Sequence, residues 1–161
     1  MNTYLKQITT YFDEEKIFYE YKNISNSLVF HFKFENSETK LKAHILEFNE
    51  IFQVYIGTFI KEYEALSEDN INKISEYIHR ANLGMIRGNF EYNIDKGIIV
   101  FKHYFEKSSV MNKKYAMYNI FLPIAMFLKY ITRLSELINT SKSPTELIKE
   151  VEADDKKEES K

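Results

Sequence analysis

Two hydrophobic periods alternate along this chain, one near 3.6 residues and one of two, and their order predicts an α+β protein. Leu5, Ile8 and Phe12 fall at helical spacing and predict a short amphipathic helix from Asn2 to about Asp13. Ile17–Lys22 is rich in strand formers, and the polar run Asn23–Ser27 turns the chain. Leu28, Phe30, Phe32 and Phe34 then alternate with Val29, His31, Lys33 and Glu35, which predicts a strand with one core face and one mostly polar face. After a turn at Asn36–Glu38, Leu41–Phe48 and Ile51–Ile60 read as two further strands joined at Asn49-Glu50. The second lacks clean alternation, so cover on both sides is expected. Short connections between consecutive strands favour an antiparallel meander.

The centre of the pattern is Tyr77–Phe105, which holds Gly84, Gly88 and Gly97. A helix opens at Ser67, an N-cap residue with Glu68 and Asp69 in the first turn, and buries Ile71, Ile74, Ile78 and Ala81. Gly84 is expected to end it in the left-handed conformation. Phe90, Tyr92 and Ile94 alternate with polar residues, Asp95-Lys96-Gly97 makes a hairpin turn with Gly97 at positive φ, and Ile98–Phe105 returns as the partner strand.

Ser108–Asn139 is a long helical segment with Met111, Tyr115, Tyr118, Leu122, Met126 and Lys129 on one stripe. Pro123 is expected to kink or split it. Asn139–Ser143 is a linker, and Ser143-Pro144-Thr145-Glu146 has the form of a capping box opening a short helix to about Val151. The expected organisation is one α+β domain over 1–140 with element order α-β-β-β-β-α-β-β-α, a short capped helix over 141–152, and a disordered charged tail over 153–161.

Composition narrows the function classes. A net charge of -2 gives no basic excess to neutralise phosphates, so nucleic acid is not an expected partner. The longest apolar run, Ile120–Leu128, is half a membrane span and carries Pro123, so no membrane insertion is expected. The amino end lacks a basic segment followed by an apolar one, and no secretory signal is expected. There is no cysteine, which removes disulfides, thiol catalysis and cysteine zinc sites and is compatible with the cytoplasm. Tyr and Phe are abundant, but so are Lys, Ile and Asn, as an AT-rich genome would produce, so aromatic content by itself does not mark a binding surface.

Catalytic motifs are missing. Gly84 and Gly88 lack the lysine and hydroxyl of a phosphate loop, and no HExxH pair occurs. Ser37 and Lys40 have the SxxK spacing of some penicillin-recognising enzymes, but in a strand turn rather than on the helix that would bring Lys beside Ser. His31, His44 and His103 lie on expected strands and His79 beside Glu76 on a helix; scattered surface histidines are the expectation, with a metal cluster across the sheet the alternative. The pattern assigns no catalytic residue, no metal and no cofactor. Two surfaces remain for binding. One is the long helix, apolar nearly all round between Ile120 and Leu128, with Tyr115, Tyr118, Phe121, Phe127 and Tyr130 as candidate interface residues. The other is the outer sheet face or a free strand edge.

The run from Arg80 to Phe105 resembles the YbjN family, described as bacterial sensory transduction regulators. Arg80, Ala81, Asn82 and Gly84 match its helix end, Gly88, Asn89, Phe90 and Glu91 its first hairpin strand, and Asp95 and Gly97 its acidic turn. Asn93-Ile94 and Val100-Phe101-Lys102 depart from the family's usual residues, and the segment after Ser143 is an addition. The resemblance spans about Leu5 to Ile138. It implies a fold similar to the chaperones of type III secretion systems, a twisted antiparallel sheet with helices against it, in proteins that often form homodimers and bind other proteins. It implies no catalytic residue. Asn82 is expected as a helix cap. The resulting expectation is a non-enzymatic, cytoplasmic protein-binding module, chaperone-like or adaptor-like, whose partner is itself or another protein. The alternative is a sensor or enzyme using the concave sheet face, its small-molecule ligand unspecified.

Overall fold

Six strands form one antiparallel sheet in the computed structural model of the chain, which describes residues 3–33, 40–60 and 66–158. After α1 (Thr3–Glu14) come β1 (Tyr19–Lys22), β2 (Ser27–Lys33), β3 (Lys40–Glu47) and β4 (Ile51–Phe59), each paired with the next as a meander. α2 (Glu68–Leu83) then carries the chain across, and the hairpin β5 (Asn89–Asn93) and β6 (Ile98–Glu106) follows. β6 pairs with β4 and leaves β5 at the edge, giving the order β1-β2-β3-β4-β6-β5. The element order is thus the expected α+β one, with the meander broken by a helical crossover. β4 and β5 both run antiparallel to β6, hence parallel to each other, a relation that a tight turn cannot connect.

Helices line one sheet face and make a two-layer protein. Phe30, Ala43, Ile56, Phe101 and Phe90 form one row across that face, and all are buried beneath α1 and α3. The opposite face bears His31, Lys42, Tyr55 and Lys102. β4 is therefore not sandwiched: Gln53 on its outer side is covered by neighbouring strand side chains, donating to Tyr104 Oη at 2.6 Å. Both four-residue hairpin loops reverse through a positive φ at their last residue, Asn26 (45°) after β1 and Gly97 (61°) after β5. The expected turn at Asn36–Glu38, the strand residue Phe34 and Ser37 of the SxxK spacing lie outside the described residues.

The helices correct several expectations. Ser67 caps α2 as expected, accepting from Asn70 N–H, but Tyr77 joins Ile74, Ile78 and Ala81 on its buried face. Gly84 ends the helix at φ -99°, ψ -1°, a right-handed conformation open to any residue. The long segment begins as a 3-10 turn (Lys107–Met111), and α3 (Lys113–Ile131) runs unbroken through Pro123. The break comes at Thr132–Arg133, where Arg133 N–H bonds Tyr130 C=O three residues back, before α4 (Leu134–Asn139). An interior proline costs about 3 kcal/mol. Burial of Ile120, Ile124 and Phe127, each no more than 7% exposed, contributes about 1.5–3 kcal/mol apiece and outweighs it. The buried stripe of α3 is Ala116, Asn119, Ile120, Pro123, Ile124, Phe127 and Tyr130, not the stripe through Tyr115, Tyr118 and Leu122. A helix apolar all round gives no unique inner face, and the sheet chose this one.

α5 (Pro144–Glu158) opens with the capping box: Glu146 N–H donates to Ser143 Oγ, and Ser143 N–H donates back to the Glu146 carboxylate at 2.8 Å. Leu147, Ile148 and Val151 join the common core, so the segment past residue 140 belongs to the same domain. The helix continues to Glu158 through most of the expected disordered tail. Ala, Lys and Glu are favourable helix formers and propagate a helix once it is nucleated.

Candidate functional site

The residues of the Arg80–Gly97 motif lie along the α2–β5 connection and the β5–β6 hairpin, and most of them make packing or backbone contacts. Arg80 pairs with Glu76 one helical turn back at 2.7 Å. Ala81 packs in the core, and Phe90 is buried against Phe101, Phe127 and Tyr130. Asn82 does not cap its own helix; its amide receives Phe90 N–H at 2.8 Å and donates to Phe90 C=O at 2.9 Å. Gly88 has φ +76°, and a Cβ there would sit 2.6 Å from the Phe101 ring and 2.7 Å from Lys102 O. Asn89 pairs across with Lys102, Glu91 reaches the Lys102 ammonium at 2.6 Å, and Asp95 is exposed in the hairpin loop.

The five candidate interface residues divide. Tyr115, Tyr118 and Phe121 are exposed on the outer side of α3, at 44%, 52% and 36%. Phe127 and Tyr130 are buried against Phe90 and belong to the core, where no partner reaches them. Phe121 also packs edge-on against Phe30 at 5.9 Å, so only part of its ring is available. Beside it, Ile17, Met117 and Phe121 floor an open groove between α1 and α3, flanked by Lys113, which bridges Glu14 and Glu15. Ala125 continues the exposed strip, and no charged side chain occurs from Tyr115 to Leu128.

The histidines separate rather than cluster. Among the described residues no group of His, Asp and Glu is placed to hold a metal ion. His79 and His31 are exposed. His44 stacks on Tyr55 across β3 and β4, with ring centroids 4.5 Å apart, in a hollow of about 300 Å³ on the outer sheet face. Burial, then Lys42 and His31, hold its pKa below the ordinary histidine value.

His103 is not a surface residue at all. It is 3% exposed, because it shares strand parity with Ile99, Phe101 and Phe105 and so points into the core layer. That parity is visible in the sequence and was the signal for it. Its Nε2 lies 2.9 Å from Asn119 Oδ1, and Asn119 Nδ2 donates to Tyr115 C=O at 2.8 Å. With the amide nitrogen committed to a carbonyl, Asn119 Oδ1 accepts, so His103 carries its proton on Nε2 and keeps Nδ1 as an acceptor. Burial, with Arg87 adding to it against the Asn119 bond, lowers the imidazole pKa and keeps the ring neutral. The pair lies at the base of a cleft of about 510 Å³ lined by Arg87, Gly88, Tyr104, Glu106, Ser109 and Tyr115.

No described helix is long and apolar enough to cross a membrane. Comparison of the chain with protein-family models, curated proteins and solved structures found no match.

Proposed function

We propose that the protein is a protein-binding module, related to the YbjN regulators and of chaperone-like or adaptor type, which associates with a second copy of itself or another protein in the cytoplasm through the outer face of α3. The observation that carries this reading is the exposed strip Tyr115, Tyr118, Phe121 and Ala125, uncharged along its length on a helix whose opposite side already fills the core. Contiguous apolar surface of this kind gains free energy when a partner removes it from water, and aromatic residues dominate such contacts. The motif residues that carry the YbjN resemblance support the reading indirectly, since Ala81, Asn82, Gly88 and Phe90 hold the α2–β5 connection against the core.

The test is the mass of the protein in solution by sedimentation, for wild type and for Tyr118→Asp. Tyr118 is the preferred position because it is the most exposed of the three aromatic residues. A wild-type dimer that Tyr118→Asp converts to a folded monomer supports self-association. If wild type is a monomer at all accessible concentrations, a pull-down comparing the two proteins decides whether another protein occupies the face. Identical captures by both would end the reading.

A further inference from the structure

β6 outruns its edge partner. β5 begins at Asn89 opposite Lys102, while β6 continues to Glu106. The hydrogen-bond phase of β6 follows from its two ends, where Lys107 N–H bonds Glu50 C=O and Ile60 N–H bonds Gly97 C=O. Odd-numbered residues of β6 therefore bond β4, and even-numbered ones face the β5 side. The same phase explains why Phe90, opposite Phe101, turns its backbone outward to Asn82.

Tyr104 is the first even residue beyond the end of β5. Continuation of the register would place Arg87 opposite it, but the positive φ at Gly88 diverts the chain, and no bond joins Arg87 to Tyr104. Tyr104 N–H, Tyr104 C=O and Glu106 N–H have no partner among the described residues, and Glu106 C=O accepts from Ser109 Oγ at 2.6 Å. These main-chain groups border the cleft whose base is the His103–Asn119 pair.

We infer that this cleft takes the carboxy-terminal end of an extended peptide, which adds to β6 in the lane that β5 leaves vacant. The direction follows from charge and topology. An incoming strand antiparallel to β6 runs the same way as β5, so its last residue faces Gly88 and Arg87. There the guanidinium of Arg87, exposed at the rim, meets the terminal carboxylate. A strand in the opposite sense would present an ammonium to the same cation. Tyr104 exchanges two main-chain bonds with the residue opposite it, and the neutral His103 Nδ1 accepts a donor entering the cleft. Main-chain pairing with a charge-fixed end is a known way for a sheet edge to read a peptide without a large apolar interface. The cleft shares Tyr115 with the exposed face of α3, but its main-chain edge and Arg87 lie outside that face, so the inference does not rest on Tyr118.

The experiment uses the full chain and a mixture of octapeptides whose last four residues are randomised, prepared with free carboxylate ends and, separately, amidated. The expected result is binding of the free-acid mixture, at least tenfold weaker binding of the amidated one, and movement of the Tyr104 and Glu106 amide resonances together with slowed hydrogen exchange at both. Arg87→Gln, an exposed substitution that leaves the fold intact, should weaken binding at least tenfold. The inference is overturned if neither mixture binds, if amidation makes no difference, if those two amides do not respond, or if N-acetyl amino acids bind as tightly as the octapeptides.

Discussion

Asn82 reads the backbone of Phe90 as a neighbouring strand would, accepting its N–H at 2.8 Å and donating to its C=O at 2.9 Å. Phe90 lies on the edge strand with its main chain turned away from β6, so one helix side chain closes the edge at the point where the aromatic core begins. Removing a partner from such groups costs about 1–3 kcal/mol. Asn82→Ala should lose that much in urea denaturation, with Phe90 amide exchange accelerated. Asn82→Asp should do no better than Ala, since a carboxylate cannot donate to Phe90 C=O. Full stability in Asn82→Asp would show that the bidentate pairing is unimportant.

The glycines of the same connection make opposite predictions. Gly88→Ala forces a Cβ into the Phe101 ring and Lys102 O at a positive φ, and should destabilise by about 1–3 kcal/mol. Gly84→Ala meets nothing nearer than Glu152 Oε1 at 3.9 Å in a right-handed conformation. It should be neutral or stabilise by about 0.4–1 kcal/mol through the unfolded chain. Thermal denaturation of the two variants side by side checks both signs.

A second tie lies just past the carboxy-terminal end of β6. Lys107, 9% exposed over the Phe52 ring, pairs with Glu47 at 2.5 Å, and the other Glu47 oxygen receives Asn26 Nδ2 at 2.6 Å. Glu47→Ala leaves a buried ammonium without its carboxylate and should lose about 3–5 kcal/mol. The double variant Glu47→Leu with Lys107→Met should recover most of the loss, because it removes both charges together. If the double variant is less stable than Glu47→Ala in chemical denaturation, the pair contributes more than its desolvation penalty.

Stability should fall on mild acidification. His103, through burial and the nearby Arg87, and His44, through burial, Lys42 and His31, both titrate below the ordinary histidine value in the folded protein. Unfolded, each binds a proton near pH 6.5. Below that pH the unfolded chain holds more protons, so stability is complete above about pH 6.5 and decreases as pH drops toward the lowered folded values. Replacing His103 by Gln should flatten part of this slope below about pH 6.5, whatever it does to stability at neutral pH. An unchanged slope in denaturation curves across that range would remove His103 from the account.

Local chemistry was sufficient for much of this protein. The alternation through Leu28 and Phe30, the Ser67 cap, the Ser143–Glu146 box and Gly97 at positive φ all depend on residues a few positions apart, and each is found where the pattern places it. The strand parity that buries His103 was legible too, through Ile99, Phe101 and Phe105. What remained open depended on groups distant in the chain. The inner face of α3, and with it the separation of Phe127 and Tyr130 from Tyr115 and Tyr118, was decided by the sheet, because a helix apolar on every side carries no preference of its own. Pro123 stays helical because packing outweighs one lost hydrogen bond. Most of all, the vacant lane beside Tyr104 exists only because β5 and β6 end out of step while Gly88 turns the chain away, a relation between two strand lengths and one backbone angle that no single stretch of sequence contains.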